Sequence, residues 1–321
     1  MKSLKIFLLL LLGISFSIMD AAELPFDSSC PVIVDNDDHR DVYTDEYMLA
    51  LDYIGDIDLK ALITTYAANQ AEYDLFVRGR QEIIDLAGRS GMKDQPNAYA
   101  GTSDRLSRPE SNRIEDTRPL NLKAGEVIVK HARQASPDQP LVIVAGGQLT
   151  AIADAYLQDP SIADKVVVSG IMGVNNRDYN PGLDPWAWTI VVSKFRVLSI
   201  PIGGSGNRGT VYMKPPEVPK DRIEKELPMD VPFFQWMYEK RHPSNGAPSG
   251  HDYDGQAAIP IMRPDYITEI QRWRPVGIKP NGDPELVEDP EGPIYKALDA
   301  DQDIATEEFW RAMHELRFYL K

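Results

Sequence analysis

Between Asp35 and Glu46 the stretch "PVIVDNDDHRDVYTDEYMLAL" carries six carboxylates: Asp35, Asp37, Asp38, Asp41, Asp45 and Glu46. Carboxylates this close repel one another, so something must offset their charge or the segment stays extended and solvated. Three readings of the run differ in what they place there. The first is a solvated acidic loop. Against it, the run follows the apolar, β-branched "PVIV" and so lies at the C-terminal end of a strand, the edge at which open parallel sheets bind ligands. The second is an EF-hand, because Asp35, Asp37, Asp41 and Glu46 fall at ligand positions of such a loop. But Arg40 stands where that turn needs Gly, His39 takes another ligand position, and a strand rather than a helix precedes. The third is a strand-end site for one hard divalent cation. Ca²⁺ takes about six to eight oxygens, and clustered Asp side chains become low in energy with such a charge between them. The other oxygens would come from distant loops at the same edge. Two candidates are visible: "GGQLT", after "PLVIV", and "GHDYD", in which His251 precedes Asp252.

The elements that would position these residues can be read from the pattern of apolar residues. "PVIV", "LKALITT", "PLVIVAGG" and "KVVVSGIMG" read as buried strands, with "VLSIPIGG" a weaker case. Between them "TDEYMLALDYI", "EYDLFVRGRQEIIDLAG", "AGEVIVKHARQA", "LTAIADAYLQD" and "DPWAWTIVVSKF" have apolar spacing near the helical period. Strands alternating with helices predict βαβ units and a mainly parallel sheet. The stretch from Tyr212 to about Pro232 is rich in Pro and charge and reads as a loop. "KPNGDPELVEDPEGP" reads as a second linker before a last helix, "TEEFWRAMHELRFYL". Neither linker separates two cores, so one α/β domain is expected.

Taken in order, the motifs resemble the inosine/uridine-preferring nucleoside hydrolase family. That family opens with a strand followed by D-x-D, a short loop and a paired D-D at a helix start, and "VDNDDHRDVYTDEYMLAL" is similar, with a longer loop. Placing Asp45 on the second Asp of the pair aligns the following helix, "LKALITT" and Asn69 without a gap. "VIVAGGQLTAIADAYLQDPSIADKVVVSGIMG" is similar to the family's G-P-L-T-N helix and M-G-G strand end. "DYNPGLDPWAW" resembles E-F-N, three residues, then D-P-x-A, and "HDYDGQAAI" resembles H-D-x-x-A-x-A. The resemblance runs from Pro31 to about Met262, and it implies a single domain with a mainly parallel central sheet flanked by helices around a Rossmann-like core.

The resemblance also implies a site. Asp37, Asp45, Asp252 and the backbone carbonyl of Thr150 would hold Ca²⁺, and Asp37 would take the proton from a Ca²⁺-bound water. Asp35 would orient that water or Asp37. Asn69, Asp178 and Asn180 would hold ribose hydroxyls, and His251 would sit near the departing base. These roles suit the chemistry. Breaking an N-glycosidic bond builds positive charge on the ribose ring, which carboxylates and amide oxygens stabilise. A divalent ion lowers the pKa of a bound water so that an Asp can finish its deprotonation, and His titrates in the range useful to a general acid. The sequence departs from the family in places. Thr44 replaces the first Asp of the pair, leaving Asp41 to take its ribose contact. "GGQLTA" lacks the Pro and Asn, and "IMGVNN" lacks the second Gly, leaving Asn175 or Asn176 for a sugar-binding Asn. Asp178 is one methylene shorter than the family's Glu. Trp186, Trp188, Trp236, Phe233 and Phe234 read first as core by the usual burial preference, and second as a base pocket.

Bulk properties bound the partners. The chain has 321 residues and a net charge of −15, which argues against nucleic acid or anionic membrane as a partner. The lone cysteine, Cys30, cannot form an internal disulfide. The start reads as a secretory leader: Lys2 and Lys5, an apolar run from Ile6 to about Met19, then Ala21 and Ala22. That run is short of the ~20 residues of a spanning helix. The expectation is a leader over residues 1–22, a hydrolase-like domain over 23–321, and a secreted or periplasmic protein with no membrane partner after cleavage. The expected activity is hydrolysis of a ribonucleoside or close N-ribosyl compound, as a monomer or a homo-oligomer. The rival from another class is a non-catalytic, Ca²⁺-dependent ribose- or nucleoside-binding protein.

Overall fold

The computed structural model describes residues 23–40, 42–66, 69–174, 178–201, 214–240 and 250–320. The leader and the candidate residues Asp41 and Asn175 therefore lie outside the described residues. Among those described, no helix is long and apolar enough to cross a membrane.

Six strands form in the first two-thirds of the chain: β1 (Pro31–Asn36), β2 (Asp58–Thr64), β3 (Asn97–Ala100), β4 (Leu141–Ala145), β5 (Val166–Ile171) and β6 (Arg196–Ile200). Three more follow, β7 (Ile267–Ile278), β8 (Pro284–Glu288) and β9 (Ile294–Ala300). They make one sheet in the order β3-β2-β1-β4-β5-β6-β9-β7-β8. Every pairing from β3 through to β9 is parallel, and β7 pairs antiparallel with both β9 and β8. The chain winds outward from β1 in one direction and from β4 in the other. The crevice outside the carboxyl ends of β1 and β4 is thus the switch point at which such sheets bind ligands.

Ten helices are described: α1 (Thr44–Ile54), α2 (Gln70–Arg89), α3 (Lys123–Ala132), α4 (Thr150–Gln158), α5 (Tyr179–Leu183), α6 (Pro185–Lys194), α7 (Lys220–Glu226), α8 (Pro232–Glu239), α9 (Ile259–Met262) and α10 (Gln302–Leu316). The pleat sorts the central strands onto two cores. Val32 and Val34 of β1, and Val142 and Val144 of β4, face a layer built from α1, α8 and α10. Ile33, Ile143 and Ala145 face α3, α4 and α6. Each fully buried Val, Ile or Leu stabilises the fold by about 1.5–3 kcal/mol, and a parallel sheet buried on both sides needs such uninterrupted apolar strands. Trp186, Trp188, Phe233 and Phe234 are core side chains. Trp236 is half-buried and donates its indole N–H to Glu46. Cys30 is a buried free thiol.

Two stretches differ from the sequence expectation. Within the loop expected from Tyr212 to Pro232 lies α7, a short charged helix in which Ile223 is the one buried residue. Its sequence has almost no apolar face, so packing rather than pattern makes it a helix. The second linker contains β8, and with β7 and β9 it adds an antiparallel extension to the parallel sheet. β7 and β8 each bury only their first residue fully, so neither carries an apolar run. Pro275 sits inside β7, next to the register shift between Pro275 and Gly277, the kind of irregularity at which a strand tolerates proline.

Candidate functional site

The acidic run leaves the carboxyl end of β1 and enters α1, so its carboxylates crowd the switch-point crevice. Asp35 is fully buried, and neither carboxylate oxygen has a hydrogen-bond partner among the described residues. Burial pushes its pKa up to about 8, with Asp37 adding to the rise and Arg80 opposing it. Burial thus favours the protonated form of Asp35. Asp37 is half-buried, and its carboxylate accepts the backbone N–H of Asp38 at 2.7 Å. Asp38 receives Arg40 in a two-point contact, Nε at 2.8 Å and Nη2 at 2.9 Å. Asp45 accepts Arg80 Nε at 2.8 Å, with both side chains buried. Glu46 accepts Lys240 Nζ at 2.8 and 3.0 Å, again a buried pair.

Other segments close on the same edge. The loop after β4 lies against Asn36 and Asp37. A methyl group on Gly146 would sit 2.3 Å from Asn36 Oδ1 and 2.7 Å from Asp254 Cγ, and one on Gly147 would sit 3.2 Å from Asp37 Cβ. Thr65, just past β2, donates its hydroxyl to the Gln148 carbonyl at 3.0 Å. Thr150, at the start of α4, spends its hydroxyl on Asp184 at 2.7 Å. Asp252 is fully buried, and its Oδ1 accepts Thr44 Oγ1 at 2.6 Å, Gly255 N at 3.1 Å and Tyr43 N at 3.2 Å. Burial raises its pKa to about 7 in spite of these donors. Asp178 precedes α5 and lies against Gly173. Burial raises its pKa to about 6, held back by the Gly173 N–H and by Lys296. Asn180 uses its amide to hold the Ile171 carbonyl at 2.9 Å. His251 is half-buried, its ring stacks on Tyr253 at 5.8 Å, and its backbone bridges to Glu217. Asn69 follows β2 and opens α2. It is exposed, and its side chain caps α2 by accepting Glu72 N at 3.0 Å.

The donor set that the resemblance implies for Ca²⁺ was Asp37, Asp45, Asp252 and the Thr150 carbonyl. Five buried carboxylate oxygens lack a partner among the described residues: both of Asp35, Oδ1 of Asp45, Oδ2 of Asp178 and Oδ2 of Asp252. Orphaned oxygens could point to a missing cation. The side chains are not gathered for one, however. Among the described residues no three His, Cys, Asp or Glu side chains are grouped to hold a metal ion. Asp45 is turned to Arg80, and Asp252 to Thr44 and two backbone N–H groups. As arranged, Asp45 Oδ2 and Asp252 Oδ1 are spent on donors of the chain itself, and only the second oxygen of each is without a partner.

Arg80 is the residue that reading the sequence passed over. The signal was there: Tyr73, Phe76, Arg80, Ile83, Ile84 and Ala87 form the buried stripe of α2. A cation on the apolar face of a helix must have a buried partner, and the acidic run supplies it. His39 was also missed as a buried residue. Burial and the surrounding Arg80, Lys240 and Arg40 push its pKa down to about 2, so the ring is neutral. It packs edge-on to Phe76 and stacks with Trp236 at 6.4 Å.

No protein-family model matches the sequence, and no curated protein matches it either. Solved structures do match in shape. The inosine-uridine preferring nucleoside hydrolase from Bacillus anthracis is 14% identical with a TM-score of 0.57, over 89% of this chain and 99% of that one. The plant nucleoside hydrolase PpNRh1 is 15% identical with a TM-score of 0.57, again over 89% and 99%. The type III effector protein XopQ, solved complexed with adenosine diphosphate ribose, is 9% identical with a TM-score of 0.55, over 90% and 94%. Because these likenesses span nearly the whole of each chain, the architecture has a name: this chain has the nucleoside hydrolase fold.

Proposed function

We propose that the chain is an N-glycosyl hydrolase acting on a ribonucleoside or a close N-ribosyl compound. The observation that carries this reading is a run of carboxylate and amide side chains along the carboxyl edge of a nucleoside hydrolase fold: Asp35 and Asn36 at the end of β1, Asp37 just past it, Gln148 after β4, Asp178 and Asn180 after β5, and Asp254 against the loop after β4. In this reading Asp37 takes the proton of the attacking water. Asp35, whose protonated form burial favours, can donate a hydrogen bond to that water or to Asp37, so one of the two stays ionised as the base. The carboxylates facing the sugar stabilise the positive charge that grows on the ribose ring. His251 lies on the loop next to Asp252 and would meet the departing base. No step runs through a metal ion. The leader over residues 1–22 places the mature chain outside the cytoplasm, beginning close to Glu23. N-terminal sequencing of native material checks this, and a chain still starting at Met1 contradicts it.

The rival is a binding protein of the same fold. It is favoured by the number of polar groups already spent on internal bonds, Asp45 on Arg80 and Asp252 on Thr44. One experiment separates the two. Free ribose is measured after incubation with purine and pyrimidine nucleosides and with adenosine diphosphate ribose, the ligand of the XopQ structure. Hydrolysis that falls by ~10²-fold or more in Asp37→Asn, the typical worth of a general base, supports the enzyme. Calorimetric binding without ribose release establishes the binding protein instead.

A further inference from the structure

Positive charge is built into this site against Asp45, one of the residues that the resemblance implied for a metal. Arg80 has no exposed surface. Its guanidinium reaches five oxygens: Asp45 Oδ2 at 2.8 Å, Thr64 Oγ1 at 2.7 Å, and the backbone carbonyls of Asn36 at 3.2 Å, Asp37 at 3.3 Å and Ile63 at 3.4 Å. One carboxylate, one hydroxyl and three carbonyls are the kind of oxygen set that a hard cation takes. Here a planar cation takes it, and ties the ends of β1 and β2 to the first turn of α1. The neighbouring carboxylates have cations of their own, Arg40 on Asp38 and Lys240 on Glu46.

We propose that Arg80, flanked by Arg40 and Lys240, supplies the positive charge that a divalent ion would supply, so that the folded chain holds its acidic edge without a metal. Guanidinium is suited to this, because it stays charged when buried and offers its donors in a fixed fork. Asp45 Oδ2 is thereby paired with Arg80, and three carboxylates of the acidic run, Asp38, Asp45 and Glu46, each hold a cation of the chain itself. The proposal does not rest on the N-glycosidase reading, since its test reads metal content and stability rather than turnover.

The test has two arms. In the first, the full-length protein is equilibrated with Ca²⁺, desalted, analysed for bound metal by mass spectrometry, and melted in excess chelator and in excess Ca²⁺. An ion bound only to the folded state must raise the melting temperature with its concentration. Substoichiometric metal and equal melting temperatures are expected. Stoichiometric Ca²⁺, or a melting temperature that falls on chelation, overturns the proposal. In the second arm, Arg80→Met is compared with Arg80→Met combined with Asp45→Asn. If Arg80 is the counter-charge, the single variant melts far below the wild type, and removing the stranded Asp45 charge recovers part of the loss. A double variant no more stable than the single one, with both unfolded as the extreme case, overturns the assignment.

Discussion

At the scale of single residues, buried ion pairs set what can be changed. Glu46 and Lys240 are both shielded from solvent, and Lys240 also donates to the Val42 carbonyl. Taking one member away leaves the other buried and uncompensated, which typically costs about 3–5 kcal/mol. Glu46→Ala should therefore lower the free energy of unfolding by about that amount in chemical denaturation, and Glu46→Ala with Lys240→Met should lower it less. A loss below about 1 kcal/mol would mean that the pair is as weak as a surface one. At this scale the sequence is legible where residue type dictates role. The acidic run, Asp252 and Asp178 are recognisable as chemistry-bearing groups, and those among the described residues are buried or half-buried at one sheet edge. What was not legible is the partnership among them. Asp45 and Arg80 are separated by 35 positions, and Thr44 and Asp252 by 208, so no local spacing announces either contact. Asn69 shows the converse, a residue whose alignment implies a sugar contact and whose local geometry makes it a helix cap.

At the scale of elements, α2 is the clearest example of sequence serving the site. Gly79 lies one residue before Arg80 on its buried face, and a methyl group there would sit 2.0 Å from the His39 ring. Replacing Gly by Ala in a helix interior gains up to about 1 kcal/mol from propensity. Forcing a ring out of a packed site costs typically about 1–3 kcal/mol. The His39 ring is buried and packs against Phe76 and Trp236, so the cost is expected to win. Gly79→Ala should melt lower than the wild type, and Gly79→Ala with His39→Ala should recover much of the difference. A Gly79→Ala protein more stable than the wild type would show that the ring moves freely. The expected strands β1, β2, β4, β5 and β6 and the five expected helices between them all form. They were legible because both faces of a parallel sheet demand apolar runs. β3, β7, β8 and α7 were not, because short or exposed elements bury too little to leave a pattern.

For the whole molecule, pH should act through the buried acids. Asp178 has a pKa of about 6 in the fold against an ordinary 3.8, so the folded chain holds that proton more tightly than the unfolded one. Where the native state binds more protons, stability falls as pH rises. The Asp178 contribution is thus fully present below about 4 and is lost as pH rises through about 6. Thermal melts of wild type and Asp178→Asn across that window should differ in slope, with the variant losing less stability as pH rises. Parallel slopes would show that Asp178 ionises in the fold as readily as in the unfolded chain. The net charge of −15 adds a general self-repulsion that both proteins share, so the comparison isolates the one carboxyl.

The two contacts that organise the acidic edge also differ in when a growing chain can make them. Asp45 and Arg80 both belong to the first quarter of the sequence, together with β1, β2 and α1. Thr44 must wait for Asp252, on the far side of β4, β5 and β6. N-terminal segments of a chain generally organise first during synthesis. Asp45 can thus take its counter-charge from Arg80 early, while Glu46 waits for Lys240 and Thr44 for Asp252. The order has a practical side, because a nascent chain with bare, clustered carboxylates would attract any free cation, and a guanidinium of the chain's own competes for Asp45 from the start.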